Sequence, residues 1–160
     1  MTNENSNLIT KQGFDKLKAE LDNLKLVERP NIAKATEHAR SLGDLSENAE
    51  YSTAKEKQHF VESRISFLEK THGELRIVDT KDIKNKDTVN FGATVTLKNL
   101  DTNEEMVIIF VGELEVNIDK NMLSLNSPIG KELVGKTTNN NAIIKAHSGE
   151  KRYQIISIKY

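Results

Sequence analysis

The run Gly43-Asp44-Leu45-Ser46-Glu47-Asn48-Ala49-Glu50-Tyr51 sets two carboxylates three residues apart, directly after a glycine. That spacing suits two kinds of chemistry. An acid followed three positions later by Glu is the pattern of a capping box at a helix start. Both acids would then lie near the positive end of a helix dipole. Alternatively, the two can converge on one hard cation. Mg²⁺ prefers oxygen ligands in an octahedron, takes one or two carboxylates, keeps waters and borrows phosphate oxygens. A site with so few protein ligands becomes strong only when a partner adds carboxylates and a phosphate. This is the arrangement of two-metal phosphodiester chemistry. Spacing alone favours the cap and leaves the metal reading open.

The flanking segments would position these acids. Thr10 is a suitable helix N-cap. Phe14, Leu17, Leu21 and Leu24 follow with 3-4-3 spacing, and Ile32, Ala35, Ala39 and Leu42 repeat it, so each set forms one helical stripe. An eight-residue step separates the sets, a register shift in a heptad pattern. Pro30 falls in that step and predicts a kink or short break. Gly43 suits the left-handed residue that ends a helix. From about Asp44 to His72, Tyr51, Ala54, Gln58, Val61, Ile65 and Leu68 form a second stripe. Two stripes joined by a short turn predict an antiparallel helical hairpin. Arms of about 30 residues would make it roughly 45 Å long. Alanine near the turn makes the far end slender, as a probe entering a narrow channel requires, though small seam residues also occur in ordinary hairpins.

The chain changes character near Asp79. Beyond it, candidate strands are Val89–Leu97, Met106–Val111, Met122–Leu125, Ala142–Ala146 and Tyr153–Ile158. One helix interrupts them, with Ser127 as N-cap, Pro128 as first residue and Gly135 as stop. The expected fold class is therefore α+β. Residues 1–79 form a coiled-coil hairpin domain with its tip at 43–48, and residues 80–160 form a small domain with a mostly antiparallel sheet.

Composition narrows the function. The 160 residues carry 29% charged side chains but a formal net charge of −1. Binding nucleic acid by bulk electrostatics is thereby disfavoured, so any such contact rests on a few placed residues. Aromatics are only 5%, which suits a chain with a long solvated helical part. There is no cysteine, so disulfides, thiolate metal sites and cysteine nucleophiles are excluded. The four histidines, His38, His59, His72 and His147, show no zinc spacing. The first residues lack the regions of a signal peptide, and no apolar run approaches a membrane span. A cytoplasmic protein without membrane contact is expected.

The run from Gly43 to Tyr51 resembles the tip motif of the bacterial GreA/GreB transcript cleavage factors. Glu28-Arg-Pro30, Ala39-Arg40, Ala54-Lys-Glu56, Phe91-Gly92, Asn126-Ser-Pro-Ile129 and Gly135-Lys136 also fall where GreA-like sequences carry similar residues. The resemblance spans about residues 8–160. It implies an N-terminal coiled-coil hairpin and a C-terminal FKBP-like domain. The second would dock on the rim of the RNA polymerase secondary channel, and the first would enter that channel. There the tip acids would help hold a second Mg²⁺ and its water, and the polymerase's own centre would cleave the 3′ end of backtracked RNA. By this resemblance Asp44 is a metal ligand, and Glu47 orients or deprotonates the water, with metal contact open to it. Arg40 and Lys55 would contact RNA phosphates; read without the family they are solvated surface or an interarm ion pair. Asn126, Ser127 and Pro128 match the polymerase-docking loop. The implied protein is a monomeric accessory factor rather than a nuclease, with no cofactor in isolation.

Two rivals stand beside this reading. A channel-binding relative could inhibit the polymerase, although its tip acids would differ in number and placement. An FKBP-like chaperone or prolyl isomerase would need an aromatic-lined pocket, for which the second half offers only Phe91, Phe110, Tyr153 and Tyr160. The sequence also departs from its relatives near the supposed docking loop, at Glu115-Val-Asn117 and Gly130-Lys131.

Overall fold

The computed structural model describes residues 5–45 and 47–160. The chain forms two compact units. One comprises Asp15–Glu74, and the other joins the described residues up to Phe14 with Leu75–Tyr160.

The first unit is helical. Helix α1 (Lys11–Asn23) leads into a π-helical turn, Leu24–Glu28, and then α2 (Arg29–Ser41); α3 covers Ala49–Glu74. Sequence reading expected a kink or a short break at Pro30; there is no break, because the helical path continues through a π turn. Asn23, Glu28 and Arg29 all keep right-handed helical angles, and the Arg29 N–H donates to the Leu24 carbonyl. The step from Leu24 to Ile32 is one residue longer than a heptad, and the wider π turn absorbs the excess. Leu21, Leu24 and Ile32 consequently share one cluster with Val61 and Ile65. Pro30 is the second residue of α2, which directly follows the π turn.

Ala39, Ala54 and Leu68 are buried as the stripes require, whereas Ala35 and Leu42 are exposed. Ion pairs flank the seam. Arg29 makes two bonds of 2.8 Å to Glu62, Arg64 bonds Glu20 at 2.7 Å, and Lys25 pairs with Glu69. The Arg29 hydrogen bonds hold Glu62 below the usual carboxylate range.

The second unit holds a five-stranded sheet. Its strands are β3 (Thr94–Asn99), β4 (Glu105–Val111), β5 (Met122–Ser124), β6 (Asn141–Ala146) and β7 (Gly149–Lys159). Their order is β5-β4-β3-β7-β6. All pairings are antiparallel except β4 with β5. The architecture is α+β, as expected. Alternation buries Val95, Leu97, Ile108, Phe110 and Ile155 in one core. The candidate strand Val89–Leu97 was too long. Gly92 adopts φ +82°, and the Ala93 N–H bonds the Asn90 carbonyl at 3.1 Å, so a turn precedes β3.

Two strands were not anticipated. β1 (Leu8–Thr10) runs parallel to β2 (Arg76–Val78), with Leu8 opposite Arg76. Glu115 secures β1. Its Oε2 accepts the Thr10 and Gly112 N–H groups, each at 2.9 Å, and its Oε1 accepts the Thr10 hydroxyl. Thr10 in turn caps α1, accepting the Gly13 N–H at 3.0 Å. Gly112 permits the close approach, because a Cβ there would lie 2.1 Å from the Leu8 carbonyl oxygen.

The remaining helix, α4 (Pro128–Leu133), begins as anticipated. The Ser127 hydroxyl accepts the Gly130 N–H at 3.1 Å. Gly135 adopts φ +78° just beyond the end.

Candidate functional site at the turn

α2 ends at Ser41, and Gly43 takes φ +148°, a conformation suited to glycine. The expected capping box is not what starts α3. The cap is Asn48, whose Oδ1 accepts the Tyr51 N–H at 3.1 Å while its carbonyl accepts the Ser52 N–H at 3.0 Å. Its Nδ2 donates to the Ala39 carbonyl at 2.5 Å. α3 therefore starts at Ala49, later than the acid pair and directly after Asn48. Sequence reading passed over Asn48, although Asn before a run of helix formers is a recognised cap signal. Ser46, inside the predicted tip, lies outside the described residues.

Asp44 and Glu47 are both exposed. They line one open depression of about 430 Å³ with Leu42, Gly43, Asn48, Ala49 and Glu50. The structure thus brings the two acids to a common surface. Two carboxylates offer the hard oxygen donors that Mg²⁺ takes, but fewer than it requires. Among the described residues, no group of three or more His, Asp or Glu side chains is placed to hold a metal ion. Two carboxylates alone are a partial donor set for such a cation.

Arg40 on α2 and Lys55 on α3 are exposed. Lys55 Nζ lies 5.8 Å from the Tyr51 ring centroid and 3.3 Å from Gln58 Oε1. Tyr51 itself is half-buried. The interarm ion pairs found among the described residues use other side chains. Far along the chain, Asn126 Nδ2 donates to Glu113 Oε1 at 2.5 Å, and Ser127 Oγ donates to the Ser124 carbonyl at 2.6 Å. Pro128 is exposed. These contacts fix the loop that begins α4.

No helix among the described residues is long and apolar enough to cross a membrane. Residues 7–77 match the family model for "Transcription elongation factor, N-terminal", and residues 84–160 match "Transcription elongation factor, GreA/GreB, C-term". The chain belongs to the GreA/GreB family of transcription elongation factors. It is 48% identical to "Transcription elongation factor GreA" of Ruegeria pomeroyi, over 95% of this chain and 96% of that one. The protein of the same name from Rickettsia felis is 44% identical, over 95% and 93%. The solved GreA factor homolog 1 of Thermus thermophilus aligns with 96% of this chain and 98% of its own at 21% identity. Its TM-score of 0.43 is too low to carry an argument.

Proposed function

We propose that this protein enters the RNA polymerase secondary channel and stimulates the polymerase's own cleavage of backtracked RNA. One observation supports the reading: Asp44 and Glu47 both line one exposed depression at the turn that precedes the Asn48 cap of α3. Acids in that position can serve a second molecule.

In this reading the helical arms form an antiparallel coiled-coil hairpin, and the sheet unit is FKBP-like and docks on the channel rim. Asp44 binds the shared cation, and Glu47 orients the attacking water and takes its proton. Mg²⁺, when bound, supplies positive charge and an acidified water. Arg40 and Lys55 hold phosphates of the extruded RNA 3′ end. Asn126, Ser127 and Pro128 contact the polymerase, in the orientation that Glu113 and Ser124 impose. The chain acts as a cytoplasmic, monomeric accessory factor, and the catalytic centre belongs to the polymerase. The isomerase alternative gains no support, because Phe91 and Phe110 are 5% and 0% exposed and sit within the core.

The test is a polymerase stalled in a backtracked complex. Adding this protein should release short 3′ RNA fragments, and Asp44→Ala with Glu47→Ala should abolish the release. Undiminished release by the double variant would refute the mechanism. Slowed elongation without fragments would favour an inhibitor instead.

A further inference from the structure

We infer that Asn48 is a positioning residue for the turn acids, tying the end of α2 to the start of α3. Its side chain satisfies two backbone groups on different helices. The Oδ1 atom takes the Tyr51 N–H at 3.1 Å, one of the unpaired donors at a helix start. The Nδ2 atom reaches the Ala39 carbonyl, in the last turn of α2, at 2.5 Å. That carbonyl also receives the Leu42 N–H at 3.2 Å, the bond that closes the last turn of α2. Ala39 is 2% exposed and Asn48 is half-buried, so the tie is partly shielded from water, where a hydrogen bond is stronger.

The two acids lie inside this bridge. Residues 39 and 48 are its ends, and Gly43, Asp44 and Glu47 fall between them. The choice of side chain is specific. Asp, Ser and Thr cap helices about as well as Asn. Ionised Asp has no donor, and the hydroxyls of Ser and Thr are shorter than an amide and cannot serve both helices at once. Among good caps, Asn alone combines an acceptor for α3 with an amide donor for α2.

The role rests on the reading of Asp44 and Glu47 as working acids, so the test has two arms. In the free, metal-free protein, Asn48→Ser should keep the Tyr51 amide protected from exchange while the NMR signals of Leu42, Asp44 and Glu47 shift. Asn48→Ala should lose that protection as well. With the backtracked complex, Asn48→Ser should bind as tightly as the parent, and its maximal cleavage rate should fall about fivefold, the worth of one hydrogen bond. Unshifted Asp44 and Glu47 signals in Asn48→Ser, or a parental maximal rate at saturating factor, would overturn the inference. A parent that releases no fragments would instead overturn the proposed function, and the NMR arm would still decide on Asn48.

Discussion

Replacing Glu115 should loosen the N-terminal strand from the sheet unit, and the size of the effect follows from its bonds. One carboxylate accepts two main-chain N–H groups at 2.9 Å and one hydroxyl. Hydrogen bonds to a charged group contribute about 1.5–3 kcal/mol each, and the half-exposed setting argues for the low end. Glu115→Ala leaves both N–H groups without their acceptor and should cost roughly 2–4 kcal/mol. Glu115→Gln keeps one oxygen for the two N–H groups and should cost only about 1 kcal/mol. Gly13 gives an independent check. A Cβ at Gly13 would stand 2.1 Å from Glu115 Oε1. Gly13→Ala should therefore displace the carboxylate and destabilise the parent by about 1–2 kcal/mol. In the Glu115→Ala background the collision is gone, and the same change should become neutral or stabilising by up to about 1 kcal/mol, the helix preference for alanine. The measurement is a urea titration read from the amide signals of β3 and β7. If Glu115→Ala stays within about 0.5 kcal/mol of the parent, the typical surface range, the lock is not there. If Gly13→Ala costs the same in both backgrounds, the collision is not its cause.

Two further outcomes test the packing and the electrostatics. A Cβ at Gly130 would meet the Ser124 and Leu125 carbonyl oxygens at 2.5 and 2.6 Å, both backbone atoms. Gly130→Ala should cost about 2–3 kcal/mol by thermal unfolding. Glu62 is held below its ordinary 4.5 by its hydrogen bonds to Arg29. A carboxylate depressed in the folded state stabilises above its unfolded value, and that contribution is lost as pH falls through the folded one. The urea midpoint of the helical signal should therefore drop below about pH 4.5, and Arg29→Ala should flatten the dependence.

The sequence was most legible where the rule is local and the signal repeats. The stripes Ile32-Ala39 and Ala54-Val61-Ile65-Leu68 carry period and burial together, and the Ser127-Pro128-Gly135 set follows from backbone chemistry at helix ends. Strands β1 and β2 were invisible because three residues each hold no period, and the parallel partner lies far along the chain. The step between Leu24 and Ile32 was visible as a one-residue excess. Pro30 drew that reading toward a break, when a π turn accommodates both the excess and the proline. At the turn, Asp44 and Glu47 matched a capping pattern that Asn48 also satisfied. Only geometry shows that the helix uses Asn48.

The Glu115 lock also sets a timetable during synthesis. Asp15–Glu74 form one compact unit of their own, and all of it is made before Glu115. The Glu115 bonds to β1 come later, because the carboxylate that holds Thr10 is 105 residues further on. At roughly 5–20 residues per second, Thr10 waits on the order of 5–20 s for it. Ile9 is fully buried in the finished fold, and the strand that carries it gains its Glu115 bonds only at the end of that interval.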